Sequence, residues 1–250
     1  MERRMVHEEL LDESDATRSE IEGHVKNITM ANRLLGGTDA VMKPLTRLIG
    51  RKPAREPVRI LDLGTGAADI PITIDQWARR HGIAVRILAL DSDPTVVDIA
   101  RRNTREFPDI SIDLIDIRTL PYRNRSFEYV ICSQVIHHLD TPDVIGVLRS
   151  MCRLATQGIV VSDLHRRPFC IGAAWVGSRL VSNRLSRKDA AYSFRSAFTP
   201  AELEELAVQA NLPCWEIHKY GPCRLVLVMD MRSMECRRNP VPPCHAPATG

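Results

Sequence analysis

Residues 59–71 constrain the fold of this chain more than any other stretch. An apolar run ending at Leu63 predicts a buried strand. The chain then turns through Gly64-Thr65-Gly66, and residues 68–80 predict a helix. Glycine allows backbone torsions and close approaches that a Cβ would forbid. Because a helix N-terminus offers unpaired N–H groups and a positive dipole, strand, glycine turn and helix together predict a nucleotide cradle.

Two residues bear on which nucleotide is bound. The dinucleotide fingerprint has glycine at its first, third and sixth positions, but the sixth position counted from Gly64 is Asp69. Asp62 lies two residues before Gly64, at the strand end. A carboxylate there would repel a pyrophosphate but suit a cationic ligand. S-adenosylmethionine (SAM) carries a sulfonium and an ammonium and no phosphate.

Asp62-Leu63-Gly64-Thr65-Gly66 resembles the first motif of class I SAM-dependent methyltransferases. On this motif alone, two alternatives stay open. The glycines could serve only the geometry of a strand–turn–helix unit, or the chain could be a dinucleotide enzyme. The downstream sequence has to decide between them.

The bulk properties exclude several classes of protein. The length of 250 residues suits one α/β domain with a helical extension, and the net charge of +3 argues against a dedicated nucleic-acid binder. The seven cysteines form no Cys-x-x-Cys pair, so no zinc or other metal site is expected. We expect a reducing cytoplasmic location. Residues 1–14 lack the apolar core of a signal peptide, and no apolar run is long enough to span a membrane.

Three regions are predicted along the chain. Residues 1–50 form a helical appendage, with a helix from Arg18 to Leu35 and a second one capped by Thr38-Asp39 and kinked at Pro44. Residues 51–230 form the SAM-binding domain. Residues 231–250, rich in Pro, Arg and Cys, form a disordered tail.

Strands and helices alternate through the central region, which predicts a parallel sheet covered on both faces. The predicted strands are residues 58–63, 84–90, 110–115, 127–133, 158–162, 214–218 and 224–229. Asp93-Pro94, Thr141-Pro142 and the Thr199–Glu202 capping box open helices. Residues 165–195 interrupt the alternation as a lid insertion, with an apolar helix over 171–181 and a basic stretch over 184–188.

The last two strands form a hairpin through Gly221-Pro222, and this ending resembles the class I methyltransferase sheet, whose last strand is antiparallel. The expected fold class is therefore α/β. It is a doubly wound, seven-stranded, mostly parallel sheet with an antiparallel last strand, a helical N-terminal appendage and a helical lid insertion.

Ligands of such sheets bind beyond the carboxyl ends of the strands. A carboxylate after strand two could accept hydrogen bonds from both ribose hydroxyls, and one after strand three could accept from the adenine amino group. The resemblance implies that main-chain carbonyls after strand four hold the methionine end. The predicted cofactor residues are Asp62, Gly64, Thr65, Gly66, Asp91, Ser92, Asp116, Ile117, Ser133 and Gln134.

Over residues 27–230 the chain most resembles the ubiquinone/menaquinone-type C-methyltransferases and related small-molecule enzymes. Residues 32–37 resemble the N-terminal motif of that branch. Three features depart from its pattern: Asp116-Ile117 replaces the usual Asn-Ala-type pair, His137-His138 follows strand four, and the 165–195 insertion differs.

The predicted catalytic residues are His138, Asp163 and His165, with His138 the candidate base after strand four. Each has an ordinary alternative: a helix-start histidine bonded to backbone, a turn cap, or part of an exposed basic loop. Residues that could line the acceptor pocket are Arg33, Tyr192 and Arg195.

These patterns predict a methyltransferase acting at O or C of a small aromatic, polyketide-like or quinone-like acceptor. It would bind neither nucleic acid nor membrane, and it could form a homodimer. Three alternatives stay open: a nucleic-acid methyltransferase, an NAD-dependent oxidoreductase and a non-catalytic SAM-binding regulator. The first is disfavoured because Ser133-Gln134-Val135-Ile136 stands where an Asn/Asp-Pro-Pro-aromatic tetrad is usual.

Overall fold

A computed structural model describes residues 4, 16–50, 56–179 and 183–233 of the chain. The predicted disordered tail lies outside these residues from position 234 onward. The strands of the sheet are β1 (Val58–Leu63), β2 (Val85–Asp91), β3 (Ile110–Leu114), β4 (Phe127–Ser133), β5 (Ala155–Leu164), β6 (Glu216–Tyr220) and β7 (Arg224–Asp230).

The seven strands pair in the order β3-β2-β1-β4-β5-β7-β6. Strands β1 to β5 are parallel, and β7 is antiparallel to both of its neighbours, β5 and β6. The predicted fold class is confirmed. The order reverses between β1 and β4, where Leu63 pairs with Leu90 on one side and with Cys132 on the other. The ends of β1, β2 and β4 therefore meet at one edge, at the switch point where ligands of such sheets bind.

Eight α-helices accompany the sheet among the described residues, and a single 3₁₀ turn (Ile136–His138) follows β4. They are α1 (Arg18–Leu34), α2 (Gly37–Ile49), α3 (Asp69–Arg80), α4 (Pro94–Asn103), α5 (Thr141–Leu154), α6 (Pro168–Ser178), α7 (Arg184–Ser196) and α8 (Pro200–Gln209).

Local capping explains most helix starts. Asp93 caps α4 ahead of Pro94, and Thr199 and Glu202 form a capping box on α8, as the sequence predicts. Two predicted N-caps are wrong, because each helix begins earlier in the sequence than predicted. Gly36, with a φ of +73°, precedes α2, so Thr38-Asp39 lie inside that helix. Asp140 caps α5, so Thr141 is its first residue.

The appended helix α2 is continuous through Pro44. Its apolar face packs against the sheet, where Val41 and Leu45 join Val160 and Val226 in one buried cluster. Helix α1 instead packs against α4 and α7. The two appended helices therefore have different roles, since α2 belongs to the core and α1 covers the strand ends.

The lid insertion contains two helices where the sequence predicts one helix followed by a basic stretch. The basic residues 184–188 form the first turns of α7, which Asn183 caps by accepting from the Ser186 N–H at 3.0 Å. Helix α6 packs on α7. A disulfide joins Cys170 of α6 to Cys223 in the β6–β7 turn, a bond that the sequence analysis did not predict.

The described residues contain neither a membrane-spanning helix nor a metal-binding cluster. None of these helices has the length and apolar character needed to cross a bilayer. No group of three or more His, Cys, Asp or Glu side chains within the described ranges is arranged to hold a metal ion.

Candidate cofactor and acceptor site

A cavity of about 620 Å³ opens at the carboxyl edge of the sheet, beneath α1 and α7. Its size is within the usual range for small-molecule sites. All ten residues predicted to bind the cofactor line it: Asp62, Gly64, Thr65, Gly66, Asp91, Ser92, Asp116, Ile117, Ser133 and Gln134. They come from four strand ends, which the parallel sheet brings to one edge.

The turn after β1 needs glycine at its first position. Gly64 has a φ of +69°, and a Cβ there would overlap Val135 Cγ2. Gly66 has a φ of +55° but faces open space. Ala68, which the sequence analysis passed over, also adopts a left-handed conformation at the N-cap of α3. The turn is therefore held in a conformation that leaves the space above Gly66 empty.

Asp62 is the most unusual charge of the site. Its side chain lines the cavity, yet the residue is only 2% exposed. Burial raises the pKa of Asp62 to about 7, and the carboxylates of Asp69 and Asp91 add to the rise, while the Thr65 hydroxyl opposes it. A cationic ligand group beside Asp62 would favour the ionised form.

Asp91 is held by the backbone of two turns. The Gly66 N–H donates to its Oδ2 at 3.0 Å and the Asp93 N–H donates to its Oδ1 at 3.2 Å. Asp93 meanwhile caps α4 by accepting from Thr95 and Val96. Burial raises the pKa of Asp91 above its ordinary value. Since Asp93 supplies the cap, the remaining lone pairs of Asp91 can serve a ligand.

Asp116 is fixed by Arg118, a cavity residue that the sequence analysis missed. Arg118 Nη2 lies 2.6 Å from Asp116 Oδ2, and Arg118 Nη1 lies 3.7 Å from Asp143. The hydrogen bond from Arg118 holds the pKa of Asp116 below its ordinary value. Asp116 is therefore an oriented acceptor, and the buried Ile117 offers an apolar surface beside it.

The end of β4 is tied to α1 and β7. Gln134, with a φ of +58°, donates its side-chain amide to Asn32 Oδ1 and its backbone N–H to Ser162 at 2.8 Å. Arg224 donates to the same Asn32 oxygen at 3.2 Å. The Ser133 hydroxyl is buried on the cavity lining and has no hydrogen-bond partner among the described residues.

His138 and Asp163 occupy different layers. His138 lines the cavity and is half-buried, whereas Asp163 is fully buried and does not line it. Asp163 accepts from the His137 backbone N–H at 3.2 Å, and its Oδ1 lies 2.6 Å from His137 Nδ1. The imidazole centroids of His137 and His138 are 4.0 Å apart. Asp163 therefore orients His137, which in turn packs against His138.

These contacts set the protonation states. Burial lowers the pKa of His138, and the neighbouring His137 lowers it further, so its imidazole is neutral at pH 7. Burial by itself would raise the pKa of Asp163, but the charge and hydrogen bond of His137 outweigh it and the pKa is lowered. A neutral imidazole at the cavity wall can accept a proton, but a pKa of about 3 makes His138 a weaker base than a free imidazole.

The predicted role of His165 does not fit its position. Its backbone N–H donates to Cys223 at 2.9 Å and it bridges to Phe198, away from the cavity lining. The predicted acceptor-pocket residues Arg33, Tyr192 and Arg195 do not line the cavity either. The alternation of strands and helices stops after Asp163, so the sequence could not predict which way these side chains point.

Three further residues escaped the sequence analysis. His24 of α1 and Asp189 of α7 line the cavity from above, and His24 Nδ1 lies 3.1 Å from Ser186 Oγ. Arg4 donates to the carbonyls of His137 and Leu139 at 3.2 and 2.5 Å, which fixes the turn that carries His138. No local motif marks these positions, since they depend on contacts between distant segments.

Comparisons with known proteins agree with this geometry. Residues 60–158 match the family model described as a methyltransferase domain. Norajmaline N-methyltransferase from Rauvolfia serpentina is 27% identical over 119 residues, which cover 46% of this chain and 39% of that protein. An uncharacterized 37.1 kDa protein in transposon Tn4556 from Streptomyces fradiae is 27% identical over 139 residues, covering 54% and 39%.

Among solved structures, a plantazolicin methyltransferase in complex with SAH superimposes with a TM-score of 0.64. The identity is 13%, and the match covers 87% of this chain and 91% of that one. The likeness shows that this chain has the class I methyltransferase fold. The chain spans about two fifths of the length of the curated relatives it matches.

Proposed function

We propose that the protein is a SAM-dependent methyltransferase that transfers a methyl group to O or C of a small aromatic, polyketide-like or quinone-like acceptor. The observation that carries the proposal is Asp62. A buried carboxylate beside the glycine turn suits a cationic adenosine ligand and opposes a pyrophosphate. The match to a methyltransferase domain over residues 60–158 supports the same cofactor.

The cavity residues divide by the part of SAM that each would hold. Asp91 and Ser92 would hold the ribose, and Asp116 and Ile117 would hold the adenine. The methionine portion would be bound by Asp62, Gly64, Thr65, Gly66 and the main chain of Ser133 and Gln134. The orphaned Ser133 hydroxyl would gain a partner there.

Bound SAM supplies an already activated methyl group, so the protein mainly aligns the acceptor. Orientation of this kind contributes about 7–11 kcal/mol in well-aligned systems. His138 would remove the acceptor proton through its neutral imidazole, a step that adds roughly 10²–10⁴-fold. Asp163 and His137 would act through position, because neither lines the cavity.

The helical cover would exclude water from the reacting groups. Helices α1 and α7 supply His24, Thr29 and Asp189 to the cavity, whereas α6 supplies no lining residue among those described. The lid proposed for residues 165–195 is therefore assigned to α7, with α6 packed outside it.

The acceptor class rests on resemblance. The resemblance of residues 32–37 to the N-terminal motif of the quinone-type C-methyltransferases supports that branch. Asn32 of this segment joins α1 to the end of β4. The norajmaline and plantazolicin enzymes are named for small natural products, which supports a small-molecule acceptor. A cytoplasmic location and a homodimer stay predictions, and the Cys170–Cys223 disulfide counts against a reducing compartment.

A transfer assay tests the proposal. The protein would be incubated with methyl-labelled SAM and a panel of phenols, hydroquinones and amines, and labelled products identified by mass spectrometry. We expect labelled phenol or hydroquinone, and loss of product in His138→Gln at unchanged SAM affinity. Transfer to amines alone would contradict the O or C assignment, and no SAM binding would contradict the cofactor.

A further inference from the structure

The outer face of helix α6 is apolar throughout its length. The side chains of Phe169, Trp175 and Val176 are 69%, 49% and 57% exposed. The helix sequence, Pro168 to Ser178, contains no charged residue. Soluble proteins rarely expose contiguous apolar surface of this kind without a use for it.

Helix α6 is firmly attached to the rest of the protein, so the exposure of its apolar face is not caused by a loose helix. On the opposite side, Cys170 is buried and disulfide-bonded to Cys223 in the β6–β7 turn. The helix also packs on α7. Because its inner side is fixed covalently, the apolar side is held outward.

Positive charge flanks the apolar face. Residues 166–188 hold six Arg and Lys and no Asp or Glu. Arg166 is buried against Glu202 and Arg184 pairs with Glu20 at 3.2 Å, so the exposed cations of this stretch are Arg167, Arg179, Arg187 and Lys188. Arg167 occupies the N-cap position of α6 without a side-chain capping bond. Arg179 follows the end of the helix, with its guanidinium 3.6 Å from the centroid of the Trp175 ring. The exposed Arg187 and Lys188 lie on the adjoining α7.

We propose that α6 docks the protein on an anionic phospholipid surface. Aromatic and aliphatic side chains would enter the interface between headgroups and acyl chains, and the flanking cations would contact lipid phosphates. Trp175 under Arg179 suits this boundary, because tryptophan favours the interface and arginine binds phosphate. The charge pattern favours a lipid surface over a second copy of this chain, which would oppose like charges across the contact.

The proposal goes beyond the proposed function and replaces the sequence-based expectation that the protein binds no membrane, but it connects with the candidate site. Helix α6 packs on α7, whose Asp189 lines the cavity. A protein held by α6 would place the covered end of its cavity near the lipid, where an apolar acceptor would concentrate. The docking itself does not require that methyl transfer occurs.

Vesicle flotation tests the docking. The full chain would be mixed with vesicles of phosphatidylcholine alone or with 30% phosphatidylglycerol, at low salt and at high salt. We expect flotation with the anionic vesicles, weakened by high salt because the flanking charges are screened. The double variant Phe169→Ser/Trp175→Ser should bind at least tenfold more weakly.

Two further variants separate the causes. Arg167→Gln/Arg187→Gln should reduce binding to anionic vesicles and leave the residual binding to neutral ones unchanged. Val208→Ser removes a side chain that is 63% exposed on α8 and should bind like the wild type. Thermal melting and SAM titration of each variant report folding and the proposed cofactor site independently of lipid.

Three results would overturn the proposal. The first is no flotation with either vesicle composition. The second is flotation that the Phe169→Ser/Trp175→Ser variant retains in full. The third is a wild-type dimer, seen by light scattering, that the same double variant converts to a monomer, which would assign the face to a second copy of the chain.

Discussion

The strand-end rim and the helical cover of the cavity are built in different ways. In the rim, Asp62 and Asp91 lie at the carboxyl ends of β1 and β2, and Gly64 directly follows β1. They are fixed by backbone torsions, burial or N–H donors of the strand-end turns. In the cover, His24 and Asp189 come from helices far apart in the sequence. The rim is thus determined locally and the cover by tertiary packing, so substitutions should separate cofactor binding from catalysis.

The largest effect should fall on turnover alone. His138→Gln removes the proposed base at the boundary of rim and cover, and we expect kcat to drop about 10²–10⁴-fold with SAM affinity unchanged. Stopped assays and calorimetry measure the two quantities. His165→Gln, which alters a histidine outside the cavity, should keep kcat within about twofold. Equal losses in the two variants would refute the assignment of His138.

Gly64→Ala should damage the rim itself. The new Cβ would overlap Val135 at a φ of +69°, and strain plus overpacking should cost about 2–5 kcal/mol in unfolding free energy and in SAM affinity. Gly82→Ala is the matched control, because Gly82 has a φ of +66° with open space outside the cavity. It should lose about 1–2 kcal/mol of stability and bind SAM normally. Normal binding by Gly64→Ala would remove the glycine turn from the site.

Asp62→Asn should weaken SAM binding and raise the stability of the ligand-free protein at pH 8. Burial raises the pKa of Asp62 to about 7, so the folded ligand-free protein binds this proton more tightly than the unfolded chain does. Stability is therefore present below the ordinary carboxyl pKa and is lost as the pH rises toward 7. At pH 8 the variant should be more stable, by about 4 kcal/mol at most.

The same variant should flatten the pH dependence of binding. Wild-type affinity for SAM should rise about tenfold between pH 5.5 and 7.5 as Asp62 ionises. Asp62→Asn should bind about tenfold more weakly at pH 7.5 and show little of this slope. Titration calorimetry and thermal melting measure both effects. A variant that is less stable and retains the slope would contradict the role of Asp62.

Arg118→Gln should have the smallest effect. Arg118 orients Asp116, but its side chain is 55% exposed, and such pairs contribute about 0–1 kcal/mol. We expect SAM affinity to fall by less than about fivefold, and less so in high salt. A loss as large as that of Asp62→Asn would show that Arg118 contacts the ligand directly.

The positions of the rim residues could be predicted from the sequence because each lies at or just after the carboxyl end of a strand. Asp62 and Asp91 lie at the ends of β1 and β2, and Asp116 lies two residues after β3. Parallel pairing places those ends at one edge. Asp93 caps α4, as the sequence predicts, so Asp91 keeps lone pairs for a ligand.

The cover could not be predicted in the same way. Helical periodicity locates α1 but does not state which neighbour each face meets, so His24 was passed over and Arg33 was chosen instead. The disulfide between Cys170 and Cys223 depends on two segments that meet only in the fold. Asp163 was placed at the correct strand end, yet whether it faces the cavity or His137 is decided by packing under the 3₁₀ turn.

Titration calorimetry with SAM, SAH and NAD in parallel tests the central claim most directly. A rim lined by the carboxylates of Asp62, Asp91 and Asp116 should bind SAM and SAH and show no heat of binding with NAD. Binding of NAD without binding of SAM would contradict the account.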